Sequence, residues 1–71
     1  MIHSEKRLYL IKELLSELPQ YRDMEIPDNT EEQKHLLRGL MNIRVPRPIG
    51  TEFLKVQDEY LSEEVREKGI I

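Results

Sequence analysis

The chain has 71 residues, no cysteine and a formal net charge of -3. That length holds one small domain with a limited core, and without thiols neither a disulfide nor a thiolate-ligated zinc can staple it. With 35% charged residues of alternating sign, apolar residues drawn mainly from Leu and Ile, and neither Ala nor Trp, the composition suits short amphipathic helices better than a sheet.

Ser4 is the expected N-cap of a first helix over about residues 5–18. Leu8, Ile11, Leu15 and Leu18 recur at helical spacing, and Leu14 widens the stripe. Tyr9, Leu10, Lys12, Glu13 and Glu17 lie on other faces, so this helix carries apolar residues on more than one side. Pro19 stops it, because proline lacks an N–H and disfavours helical geometry in the residue before it.

The stretch from Pro19 to Asn29 reads as a connector, with Pro19, Asp23, Pro27, Asp28 and Asn29 as breakers. It is longer than the 2–8 or so residues usual between bundle helices. A turn of helix is expected near Gln20–Met24, with Tyr21, Met24 and Ile26 pinning the connector to the helices.

Thr30-Glu31-Glu32-Gln33 fits a capping box, opening a second helix over about residues 31–43. Its buried stripe is Leu36, Leu37, Leu40 and Met41. Gly39 within it costs the helix roughly 1 kcal/mol relative to alanine and marks a possible close approach of another backbone. Val45-Pro46-Arg47-Pro48 then forms an extended, proline-fixed strap.

Gly50 or Thr51 caps a third helix over about residues 51–67, with Ile49 and Leu54 placed as a hydrophobic staple. Leu54, Gln57, Leu61 and Val65 make one stripe, and Phe53, Val56 and Tyr60 a neighbouring one. Gly69 is a natural C-terminal cap, and Ile70-Ile71 read as a cut before a further ordered element. The expected fold is therefore all-α: a small bundle of three helices with a proline-rich strap between the second and third. Leu15, Leu36, Leu40, Leu54, Phe53 and Leu61 are expected among the most buried residues.

Charge is uneven along this frame. Residues 1–33 carry eight acids and four bases, residues 34–51 hold Lys34, Arg38, Arg44 and Arg47 with no acid, and residues 52–71 carry six acids and three bases. Four cations are a thin footprint for nucleic acid, and pairing with flanking carboxylates is the expectation instead. No apolar run reaches membrane-spanning length, and Met1-Ile2-His3-Ser4 is no signal peptide. The expected setting is cytoplasmic, with neither nucleic acid nor membrane as partner.

Chemistry-bearing patterns are absent. His3 and His35 fall in different elements, Glu31 with His35 makes a poor metal site, and neither a nucleophile elbow nor a glycine-rich phosphate loop occurs. No catalytic, cofactor-binding or metal residue is assigned.

One longer pattern is more specific. Arg38-Gly39-Leu40-Met41-Asn42-Ile43-Arg44, then Pro46 and Pro48, then Phe53-Leu54-Lys55-Val56-Gln57-Asp58-Glu59-Tyr60-Leu61 resemble the helical extension that precedes the catalytic domain in bacterial zinc-dependent macro-domain protein-ADP-ribose hydrolases, of the Appr-1''-p processing type. The resemblance covers about the last half of the chain; residues 1–29 match only as a leucine-rich first helix. It implies that residues 1–71 are the N-terminal helical domain of a longer enzyme. That enzyme's three-layered macro domain binds ADP-ribose and removes it from a modified protein, in the company of a sirtuin-type transferase and a lipoylated carrier protein. The family's zinc ligands and ADP-ribose loops follow the extension, so zinc belongs to the parent and none of those roles transfers to a residue here. The implied partner is the macro domain of the same protein, and a homodimer through helix one or the Ile70-Ile71 end is expected of the isolated piece. The alternative is a freestanding helical interaction or regulatory module.

Overall fold

A computed structural model describes residues 2–68 of the chain. Helix α1 runs His3–Glu17, a 3₁₀ turn follows at Pro19–Tyr21, α2 runs Thr30–Met41 and α3 runs Thr51–Lys68. The described residues contain no strand. The architecture is the expected all-α, three-helix bundle.

Helix α1 is its spine. Both α2 and α3 pack on α1, while no Cα of α2 lies within 8 Å of a Cα of α3. This follows from the two adjacent apolar rows on α1. One row, His3, Lys6, Leu10, Leu14 and Glu17, faces α3: His3 and Lys6 meet Glu59, Glu63 and Glu67, and Glu17 meets Arg47 just ahead of α3. Those pairings make α3 antiparallel to α1. The other row, Arg7, Ile11, Leu15 and Leu18, turns toward α2, where Arg7 meets Gln33. Leu10, which the sequence reading placed beside the main stripe, is fully buried, as a helix with apolar residues on more than one side allows.

The long connector now has a reason. Arg7 in the first half of α1 contacts Gln33 in the first turn of α2, so the chain must travel back along α1 before α2 begins. Tyr21 and Ile26 pack against the core on the way, whereas Met24 is exposed.

The core comprises Leu10, Ile11, Leu14, Leu15 and Leu18, Leu37 and Leu40 of α2, and Phe53, Val56 and Tyr60 of α3. Leu15, Leu40 and Phe53 are buried as expected. Leu36 is only half-buried at its edge. Leu54 and Leu61 correct the reading outright: they are 54% and 43% exposed. Helical periodicity drew both stripes of α3 but not which of them faces inward. The one with Phe53 and Tyr60 does, since aromatic rings bury more apolar area and the same face carries the carboxylates that meet His3 and Lys6.

The helix starts also depart from expectation. Ile2, not Ser4, is the N-cap of α1, and it makes no side-chain cap bond. At α2 the cap is Asn29 rather than Thr30, its Oδ1 accepting from Glu31 N–H at 2.8 Å and Glu32 N–H at 3.2 Å. Gly50 caps α3, its carbonyl accepting from Leu54 N–H at 3.3 Å; Leu54 itself stays exposed, so the expected staple does not bury it. The strap bends at Pro46 and Arg47 instead of running straight. Gly69, Ile70 and Ile71, read as a cap and a cut end, lie outside the described residues.

Gly39 meets no close backbone in this chain, for a Cβ built there has nothing within 4 Å. Gly39→Ala is therefore expected to stabilise the chain by about 0.5–1 kcal/mol, through helix propensity and a less flexible unfolded chain. Chemical denaturation with the midpoint moving down would refute the open-space reading.

Candidate functional site

The richest cluster of side chains lies along the start of α1, where it meets α2 and the second half of α3. It combines His3, Lys6 and Arg7 from α1, Gln33 from α2, and Glu59, Tyr60, Glu63 and Glu64 from α3. Sequence reasoning placed only Tyr60 of these on an apolar stripe, without deciding that the stripe faces inward. Lys6 and Arg7 are charged residues in a row of leucines, and their spacing with Leu10 and Ile11 was the available signal.

Lys6 is 6% exposed, and its ammonium hydrogen-bonds Glu63 Oε1 and stands 3.6 Å from Glu59 Oε2. That hydrogen bond to Glu63 raises the Lys6 pKa above its ordinary value, against the opposing effect of burial. In return the Lys6 hydrogen bond, seconded by His3, lowers the Glu63 pKa below the usual carboxylate range. Both shifts favour the charged pair.

His3 stacks on Tyr60, ring centroids 4.4 Å apart and planes within 6°. Its Nδ1 is 2.9 Å from Glu63 Oε2. An ionised carboxylate only accepts, so Nδ1 carries the proton. Nε2 lies 3.9 Å from Glu67 Oε2. Tyr60 donates its hydroxyl to Glu64 Oε1 at 3.2 Å. Burial, with Glu64 nearby, pushes the Tyr60 pKa up to about 12. Glu64 also faces Lys34 at 3.9 Å and Lys68 at 3.6 Å.

Arg7 is a charged group 5% exposed. Its Nε donates to Gln33 Oε1 at 2.9 Å, and Gln33 Nε2 donates to the Pro27 carbonyl at 2.6 Å. Gln33, expected to close a capping box, is instead 8% exposed and ties α1, α2 and the connector together.

This arrangement is a clasp, in which Lys6 and Arg7 each face an acceptor from another helix. No group of three or more His, Asp or Glu able to hold a metal occurs among the described residues. Glu31 and His35 are both exposed. Of the basic middle segment, Arg47 reaches Glu17 at 3.2 Å and Lys34 reaches Glu64. Arg38 and Arg44 have no ion-pair partner among the described residues, so of the three arginines only Arg47 shows the expected internal pairing. No helix of the described residues is long and apolar enough to cross a membrane.

The clasp fixes the pH response. Glu63 contributes stability above the ordinary 4.5, and that contribution is lost as pH falls through its lower folded value. Tyr60 and Lys6 have raised values, so their contributions are complete below 10.0 and 10.5 and drain away as pH rises beyond. Stability measured by denaturation is expected to fall between the ordinary 10.0 of tyrosine and about 12. Tyr60→Phe should shrink that loss, leaving the shares of Lys6 and of Tyr9, whose pKa is also raised by burial. An unchanged alkaline slope in the Phe variant would refute the buried-hydroxyl assignment.

The chain is 50% identical over 70 residues to a curated protein of Treponema medium named protein-ADP-ribose hydrolase. The match takes in 99% of this chain but only 27% of that relative. The chain thus spans about a quarter of the relative's length. No family model matches it, and no solved structure does.

Proposed function

We propose that this chain is the N-terminal helical domain of a macro-domain hydrolase that removes ADP-ribose from modified proteins, and that it packs on the catalytic domain without supplying an active-site residue. The observation that carries this is the match itself: half of the residues are identical across 99% of the chain, to about a quarter of a protein named for that activity. The resemblance of the Arg38–Leu61 pattern to the extension of the zinc-dependent branch supports the N-terminal position and the macro domain. In that reading zinc and ADP-ribose are held by the macro domain, and the clasp of α1 and α3 keeps the helical domain rigid beside it.

The test compares the 71-residue chain with the product of its complete reading frame, using an ADP-ribosylated protein as substrate. The expected result is release of ADP-ribose, sensitive to chelation, by the longer product and none by the chain alone. A reading frame that ends at Ile71, or a longer product that releases nothing, would overturn the proposal. The first of these outcomes would favour a freestanding interaction module.

A further inference from the structure

We infer that the outward face of α3, continued into the cleft between α2 and α3, is the surface on which a larger linked domain docks, and that this domain meets it with an apolar patch rimmed by carboxylates. The inference rests on the reading of the chain as part of a longer hydrolase and names the face that reading leaves open.

Leu54, Leu61 and Val65 recur at intervals of seven and four on one side of α3 and are 54%, 43% and 43% exposed. Scattered exposed leucines are ordinary, but a contiguous apolar patch marks an interaction site. Contiguity is supplied by Leu61. It lines a hollow of about 110 Å³ with Leu37, Met41 and Tyr60, and on its other side a shallow depression with Val65 and Arg66. The hollow exists because α2 and α3 both lie on α1 and stay apart from each other.

Two cations unpaired among the described residues border this strip, which also carries the exposed Asp58 between Leu54 and Leu61. Arg38 borders the hollow and Arg66 the depression, and neither has an ion-pair partner among the described residues. Glu64, which also borders the hollow, is already engaged by Lys34, Lys68 and Tyr60. Free guanidinium groups beside an apolar strip call for carboxylates across the interface. The size of the occupant follows from the relative, which is about four times as long as the stretch it shares with this chain. By contrast the apolar band of α1, the expected seat of self-association, is covered by α2 and α3.

The experiment uses the full-length Treponema medium relative with this chain in place of its matching segment. Leu61→Gln with Val65→Gln is the first variant, chosen because glutamine is a good helix former; Arg38→Glu with Arg66→Glu is the second. In the isolated 71-residue chain the first variant is expected to leave the thermal midpoint unchanged. In the chimera, the transition shared by both parts should split, the lower step moving to the midpoint of the isolated chain. The second variant should do the same to a smaller degree. A chimera that keeps one shared transition with both variants overturns the assigned face while leaving the parent reading intact. A chimera whose unsubstituted form already melts in two independent steps overturns both. A dimer of the isolated chain in sedimentation that the Gln variant dissolves would give the face to a second copy and overturn the inference.

Discussion

Replacing Leu10 with Ala is expected to cost about 2–5 kcal/mol, the range for a fully buried leucine whose site cannot collapse. Leu10 has no exposed surface and sits in the row of α1 that receives α3. A chain of this size holds roughly 4–11 kcal/mol in all at the usual stability per residue, so the variant should be largely or wholly unfolded on warming. Leu54→Ala is the matched control on α3. It removes a side chain that is 54% exposed and should move the stability of the isolated chain by less than about 0.5 kcal/mol. Thermal melts followed by circular dichroism separate the two. Equal effects would mean that the inward face of the bundle is wrongly assigned.

Gln33→Leu should cost about 1.5–3 kcal/mol, the range for losing a hydrogen bond to a charged group. The substitution removes an acceptor from a guanidinium that is 5% exposed, and a donor from the carbonyl of Pro27. A buried charge that loses an acceptor bears part of its desolvation cost, with the Tyr60 hydroxyl beside Arg7 offsetting some of it. The matched double change, Arg7→Met with Gln33→Leu, should recover much of the loss, because both ends of the bond are then apolar. Urea denaturation of the four species in a double-mutant cycle measures the coupling. Additive losses would show that Arg7 is satisfied elsewhere.

Short-range chemistry set the helices and their ends. Pro19 ended α1, Pro46 and Pro48 kept α2 from continuing, and the leucine spacing placed helices where they are, to within a few residues at each end. A local side chain changed only the caps, Asn29 competing successfully with Thr30 one position later. Which stripe of α3 turns inward was a different kind of question. Leu54, Leu61 and Val65 have the same helical period as Phe53, Val56 and Tyr60, so periodicity ranks neither. The choice shows at α1, whose His3 and Lys6 meet Glu59 and Glu63 beside Tyr60. The burial of Arg7 and Gln33 is likewise invisible along the chain, because the partner of each lies 26 residues away. Local propensity is a property of neighbours in sequence. The inward face and the buried charge depend on which helix is packed alongside, and only the tertiary arrangement supplies that.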